Sequence, residues 1–327
     1  MAKKLTKKDE RLVLFGLIGS LFLIMLISLF IGSVLMSPAQ LWHSEILWQI
    51  RLPRVILAAL IGILLSISGV ILQGVLRNPL ADPYILGISA GGAVGAAISI
   101  AIGAQFVVFG MSSVPVSAFI FALIAVFIVY KLSQVAGRAA PETLILAGVA
   151  LSAFASAILA LIIIVSGNLQ TIYFWLLGSL SSASWSNVIT AVPYVLIGAG
   201  FAYFFSKELN ALLLGEEMAI TLGVDVEKTR LMLVGVSSLM TAAAVSVSGL
   251  IGFVGLIVPH FIRLIVGPNH KLLVPYSALS GALLMVIADA ISRTVLSPIE
   301  VPIGVVMALV GAPFFLYLLR RRRTEGK

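Results

Sequence analysis

Long apolar runs alternate with short polar gaps from one end of this chain to the other. A helix needs about 20 mostly apolar residues to cross the hydrocarbon core of a bilayer. Runs of that order lie near 12–35, 55–76, 84–103, 114–136, 143–166, 188–206, 230–249, 253–267, 272–293 and 303–320. The pattern predicts an all-α membrane protein of about ten transmembrane helices, forming one transmembrane domain over residues 1–327. The 12–35 run exceeds the apolar core of a signal peptide and lacks a small-residue cleavage site, so it is read as a span.

The gaps orient the helices. The N-terminal leader holds Lys3, Lys4, Lys7, Lys8 and Arg11, and the C-terminal tail holds Arg320, Arg321, Arg322, Arg323 and Lys327. Basic residues accumulate on the cytoplasmic side, so both termini are expected there, as an even number of spans requires. Alternate gaps then carry Arg77, Lys131, Arg138, Lys207, Lys228, Arg230, Arg263 and Lys271. Of 21 basic residues this leaves three outside: Arg51, Arg54 and Arg293. Trp42, Trp48, Trp175 and Trp185 fall at the outer gaps, where an interfacial belt belongs.

Composition agrees. The chain is 61% hydrophobic and 10% charged, against about 45–50% and about 25% in soluble domains. A net charge of +8 reads as orientation signal and not as a nucleic-acid surface, so lipid is the expected environment. With no cysteine, thiolate metal sites and cysteine nucleophiles are excluded. No phosphate-binding glycine loop and no His-Glu-x-x-His occurs, and His43, His260 and His270 lie on separate segments. An enzyme, a bound cofactor or a metal site in this chain is therefore not expected.

Three features invite a functional reading beside a bland one. Gly148, Ser152 and Ser156 recur every four residues on one helix face, which suits close helix packing or a weakly polar path for a bulky solute. The gap at about 207–230, KELNALLLGEEMAITLGVDVEKTR, interleaves apolar and acidic positions and is broken at Gly215 and Gly223. It predicts two short amphipathic helices, lying on the membrane or docking a cytoplasmic partner. Arg51-Leu52-Pro53-Arg54 reads as a stiff turn that presents two arginines, and Arg293 stands four residues after Asp289, at ion-pair spacing. These arginines either anchor the interface or, since arginine is disfavoured on the outer side, mark a functional feature there. Asp289 is also the main ionisable candidate for a rival class, an ion-coupled secondary transporter.

At these residues the chain resembles the FecCD family of permeases, which serve iron–siderophore, haem and cobalamin ABC importers. The resemblance runs from about residue 45 to 320 on separated motifs: RLPR at 51–54, RNPLADPYILGIS at 77–89, LAGVALS at 146–152, LGVDV at 222–226, GFVGLIVPHFIR at 252–263, HKLLVPYSALSGA at 270–282, ADAISR at 288–293 and PIEVPIGVVMALVGAPFFLYLL at 298–319. It implies a type II ABC importer permease of ten helices in a bacterial cytoplasmic membrane, non-catalytic, paired with a second permease copy, identical or paralogous. Two cytoplasmic ATPase subunits would bind ATP and Mg, and an extracytoplasmic binding protein would deliver the cargo. The resemblance carries coupling to the ATPase onto Glu217, Ala219 and Gly223, and binding-protein docking onto Arg51, Arg54 and Arg293. The translocation path and gate map to Asn78, Leu80, Pro141 and Glu142, joined by Gly148, Ser152 and Ser156. Pro141 and Glu142 replace small polar residues of the cobalamin permeases. The cargo expected is a ferric siderophore, with haem or cobalamin as alternatives.

Overall fold

The computed structural model describes residues 7–32, 42–108, 110–135 and 138–325. They form thirteen α-helices: α1 (Lys7–Phe30), α2 (Leu52–Val75), α3 (Ile88–Ala101), α4 (Ser113–Ser133), α5 (Pro141–Ser166), α6 (Leu169–Leu176), α7 (Trp185–Phe204), α8 (Ser206–Leu212), α9 (Glu216–Thr221), α10 (Val226–Ser248), α11 (Val254–Val266), α12 (His270–Thr294) and α13 (Ile303–Glu325). Two minimal antiparallel hairpins, Val107–Val108 with Met111–Ser112 and Gln134–Val135 with Arg138–Ala139, precede α4 and α5. Seven of the described helices are long and apolar enough to cross a membrane, namely α1, α2, α4, α5, α7, α10 and α12. Ile88–Ala101, Val254–Val266 and Ile303–Leu316 are apolar but shorter.

Each expected span overlaps a helix, with instructive differences at the ends. The first helix starts earlier than expected and ends at Phe30; residues 33–35 of that run lie outside the described residues. The span expected at 84–103 begins only at Ile88. Asp82 caps a 3₁₀ turn at Pro83–Leu86 by accepting a hydrogen bond from the Tyr84 backbone, and Gly87 then takes φ +77°. A left-handed residue cannot continue a right-handed helix. The expected turn at RLPR is absent. Ile46–Arg51 forms a π-helical turn that runs straight into α2, with the Leu52 N–H donating to Leu47 O. Proline has no N–H for the ordinary ladder, and the widened turn lets the helix pass through Pro53 without breaking.

The core is organised around α2. Of its apolar window 83% is buried, against 6% for α1 and 11% for α5. Glycines set its two closest crossings. A Cβ on Gly62 would collide with the Gly281 backbone of α12, and one on Gly281 with Gly62 O; Gly69 meets Gly255 of α11 in the same way. Without side chains the backbones approach closely, which favours association where lipid supplies no hydrophobic drive. Ser68 of α2 adds a buried hydroxyl cluster, 2.6 Å from both Ser237 Oγ and Thr241 Oγ1 of α10. One core cluster runs from Val55 to Met307.

Candidate functional site

The helix pair α2–α12 has a polar cluster at each end. At one end Arg54 is held in a fork: Nε donates to Asp289 Oδ1 at 2.9 Å, and Nη1 reaches Glu300 Oε1 at 2.9 Å and Oε2 at 3.0 Å. Arg293 Nε lies 3.0 Å from Asp289 Oδ2, so the i,i+4 pair expected from sequence is present. Arg293 also donates to Ser28 Oγ at 2.6 Å and Ile31 O at 2.9 Å, and Arg51 Nη1 donates to Leu29 O at 2.8 Å. The last carbonyls of a helix have no intrahelical partners, and their partial negative charge favours cations. Arg51 and Arg293 thus cap α1, and Gly32 leaves the space in which the Arg51 guanidinium lies.

This corrects the expectation of three solvent-presented arginines. Arg51, Arg54 and Arg293 are 5%, 5% and 3% exposed. Burying a cation without partners is costly, so the sequence places Asp289, Glu300 and a helix terminus around them. Glu300 is the half-exposed member of the cluster.

At the opposite end stand α8 and α9, the two short helices expected in the 207–230 gap, with Gly215 at φ +107° between them and Gly223 at φ +83° beyond. Glu217 is exposed; Ala219 is fully buried against the bundle; Gly223 is exposed with open space around it. Leu214, Ile220 and Leu222 project outward, each about 60% exposed. Two ties bind this module to the helices. Asn210 Oδ1 accepts from the His270 backbone at 2.9 Å and lies 2.8 Å from His270 Nδ1, while Asn210 Nδ2 donates to Asn269 Oδ1. The start of α12 is thereby capped from α8. Arg230 forms the second tie: it ion-pairs with Glu216 of α9 and Glu227 of α10, and donates to Ala139 O at 2.9 Å.

The residues expected at a path or gate divide. Asn78 is half-buried and accepts from the Leu80 backbone at 3.0 Å, shaping a loop that folds back beside α2. Tyr84 on that loop both donates to Ile251 O and accepts from Ile251 N, at 3.1 and 2.9 Å. Pro141 is buried at the first turn of α5 and Glu142 is exposed. Gly148 is buried, and a Cβ there would strike Ile85 O, so its contribution to an open path is corrected to packing. Ser152 is half-buried beside Gly87, and Ser156 is exposed, its hydroxyl donating to Ser152 O at 2.8 Å. Sequence reasoning missed Arg230, Asn210, His270 and Glu300 as members of these clusters. A signal existed for Arg230: an arginine three residues after Glu227 at the mouth of an apolar run needs a carboxylate.

The FecCD transport family model matches residues 20–321. The cobalamin import permease of Halobacterium salinarum is 46% identical over 295 residues, covering 89% of this chain and 78% of that protein. The haemin transport permease of Yersinia pestis is 38% identical over 327 residues, covering 97% and 98%. An inward-facing transporter assigned to the metal-chelate ABC type is 35% identical at TM-score 0.85, covering 95% of this chain and 99% of its own. Motifs, fold and relatives agree, and the chain belongs to the FecCD transport family.

Proposed function

We propose that this chain is the permease subunit of an ATP-driven importer in a bacterial cytoplasmic membrane. In this reading ten helices span the bilayer with both termini inside. The arginine end faces outward toward a binding protein, and the α8–α9 end faces the cytoplasm. The observation that carries the reading is the α8–α9 module. It projects apolar side chains among acidic ones at the end opposite the arginines, where a bilayer would leave them in water unless a protein covered them. Two ATPase subunits suit that surface and would supply the ATP and Mg chemistry, while this chain contributes no catalytic group or cofactor. A second permease copy, identical or paralogous, would meet the long exposed apolar faces of α5 and α13 and enclose a path beside Ser152 and Ser156. Asn78, Leu80, Pro141 and Glu142 would stand near its cytoplasmic gate.

Cargo is read as a metal chelate, with a ferric siderophore first. The 46% identity to a cobalamin permease favours cobalamin as the second candidate, ahead of haem. At the outer end Arg51, Arg54 and Arg293 support docking by fixing the loops that meet the binding protein, with Glu300 the member most open to it. Asp289 is enclosed by two arginines, which argues against an ion-coupled carrier. The test is uptake by proteoliposomes holding the permease, its co-expressed ATPase and its binding protein, offered radiolabelled ferric siderophore, haem or cobalamin. ATP-dependent accumulation of one of them is expected. Uptake driven by a proton or sodium gradient without ATP would overturn the assignment.

A further inference from the structure

Arg230 joins three parts of the fold. It sits in the first turns of α10 and is 3% exposed. One nitrogen, Nη2, bonds Glu216 Oε1 on α9. The other, Nη1, donates to Ala139 O at 2.9 Å and reaches Glu227 Oε2 at 3.3 Å. Ala139 lies two residues before Pro141, where α5 begins. Glu227 reinforces the same place, accepting from the Ala139 backbone at 3.2 Å and from the Tyr130 hydroxyl at 2.9 Å. Thr143 closes the segment from the other side, donating to Ser133 O at 2.8 Å and Ala140 O at 2.9 Å.

We propose that Arg230 is a positioning residue that transmits displacement of α9 to the cytoplasmic start of α5, and so sets the gate region at Pro141 and Glu142. This rests on the reading that α8–α9 docks the ATPase. A planar guanidinium holds two partners at a fixed mutual angle, whereas an ammonium acts as a point charge. The link is short, since one side chain spans from the docking helix to the backbone entering α5. Its guanidinium is buried, so water screens the Arg230 end of the link only weakly. Glu216 is half-exposed, which lets the link be cut from the surface without opening the core.

The experiment uses the full permease with its co-expressed ATPase in nanodiscs. The chain has no cysteine, so Leu146→Cys, paired with a cysteine-free ATPase, confines the nitroxide to the exposed face of the second turn of α5. The expected result is a change in its spectrum when ATP and vanadate are added. Glu216→Ala is expected to remove most of that change, about tenfold in coupling, in complexes purified with the ATPase bound. Glu216→Gln keeps an accepting oxygen and should retain the response. Arg230→Lys should lose it, because an ammonium has no rigid fork to hold Glu216 and Ala139 O at a fixed mutual angle. The link is overturned if the parent nitroxide does not respond, if Glu216→Ala responds normally, if Glu216→Gln fails as fully as alanine, or if Glu216→Ala releases the ATPase. Gly223→Trp in parallel separates the two readings. Full association and hydrolysis in that variant would remove the docking reading, whereas loss of association there beside a normal Glu216→Ala response removes only the link.

Discussion

Arg54 shows how a residue type can be read correctly and its setting wrongly. Its rarity at the outer gaps marked it, yet the fold encloses it between Asp289 and Glu300. Removing one member of a buried pair costs about 3–5 kcal/mol where the remaining charge is left uncompensated, and less here because Asp289 keeps Arg293. Arg54→Ala is therefore expected to lower the thermal midpoint of the detergent-solubilised protein markedly, and Arg54→Lys by less. Added salt should scarcely alter either effect, because buried pairs are screened weakly. An Arg54→Glu protein that melts like the parent and loses only binding-protein affinity at low salt would return the arginine to direct docking. Gly148 and Ser156 part company at the same scale. Gly148→Val meets the Ile85 backbone and should reduce stability. Ser156→Phe enters open space and should leave melting unchanged while blocking uptake, if that face borders the path; normal uptake would place Ser156 toward lipid.

Among the elements, the α2–α12 pair carries the most consequence. Gly62 and Gly281 face each other with no room for a methyl on either. Overpacking a tight contact typically costs about 1–3 kcal/mol, so Gly281→Ala should lower the thermal midpoint even though alanine favours helix. A midpoint at or above the parent's would mean that the crossing relaxes freely. Nearly every long element was legible in the apolar runs, because span length and lipid solvation dictate helices with little help from tertiary contacts. The short α8 and α9 were legible too, through glycines that now show positive φ. Two things were not. The π-helical entry to α2 was hidden because proline signals a break unless the preceding turn widens. The partners of Arg230 and Asn210 were hidden because Arg230 meets Ala139 across 91 positions and Asn210 meets His270 across 60, and no local pattern encodes such pairings.

At the scale of the whole molecule, labour is divided between two ends of one bundle in the proposed importer, and the ends should fail separately. Gly223→Trp adds bulk at an exposed left-handed position away from every apolar span, so membrane insertion should persist while ATPase association is lost; the measure is co-purification beside membrane yield. Full association and coupled hydrolysis would place the docking surface elsewhere. The arginine end bears on a different stage of the protein's life, its synthesis. The final carbonyls of α1 are satisfied by Arg51, which follows within about two dozen residues, and by Arg293, which lies 262 positions beyond Ile31. At roughly 5–20 residues per second, a ribosome takes roughly 13–50 seconds to cover that distance. If the helices enter the bilayer in chain order, the first helix waits through this interval with at most one of its two caps, and the second arrives only with the ninth apolar run. Chains stalled before Arg293 would thus lack the second of the two caps that close their leading helix.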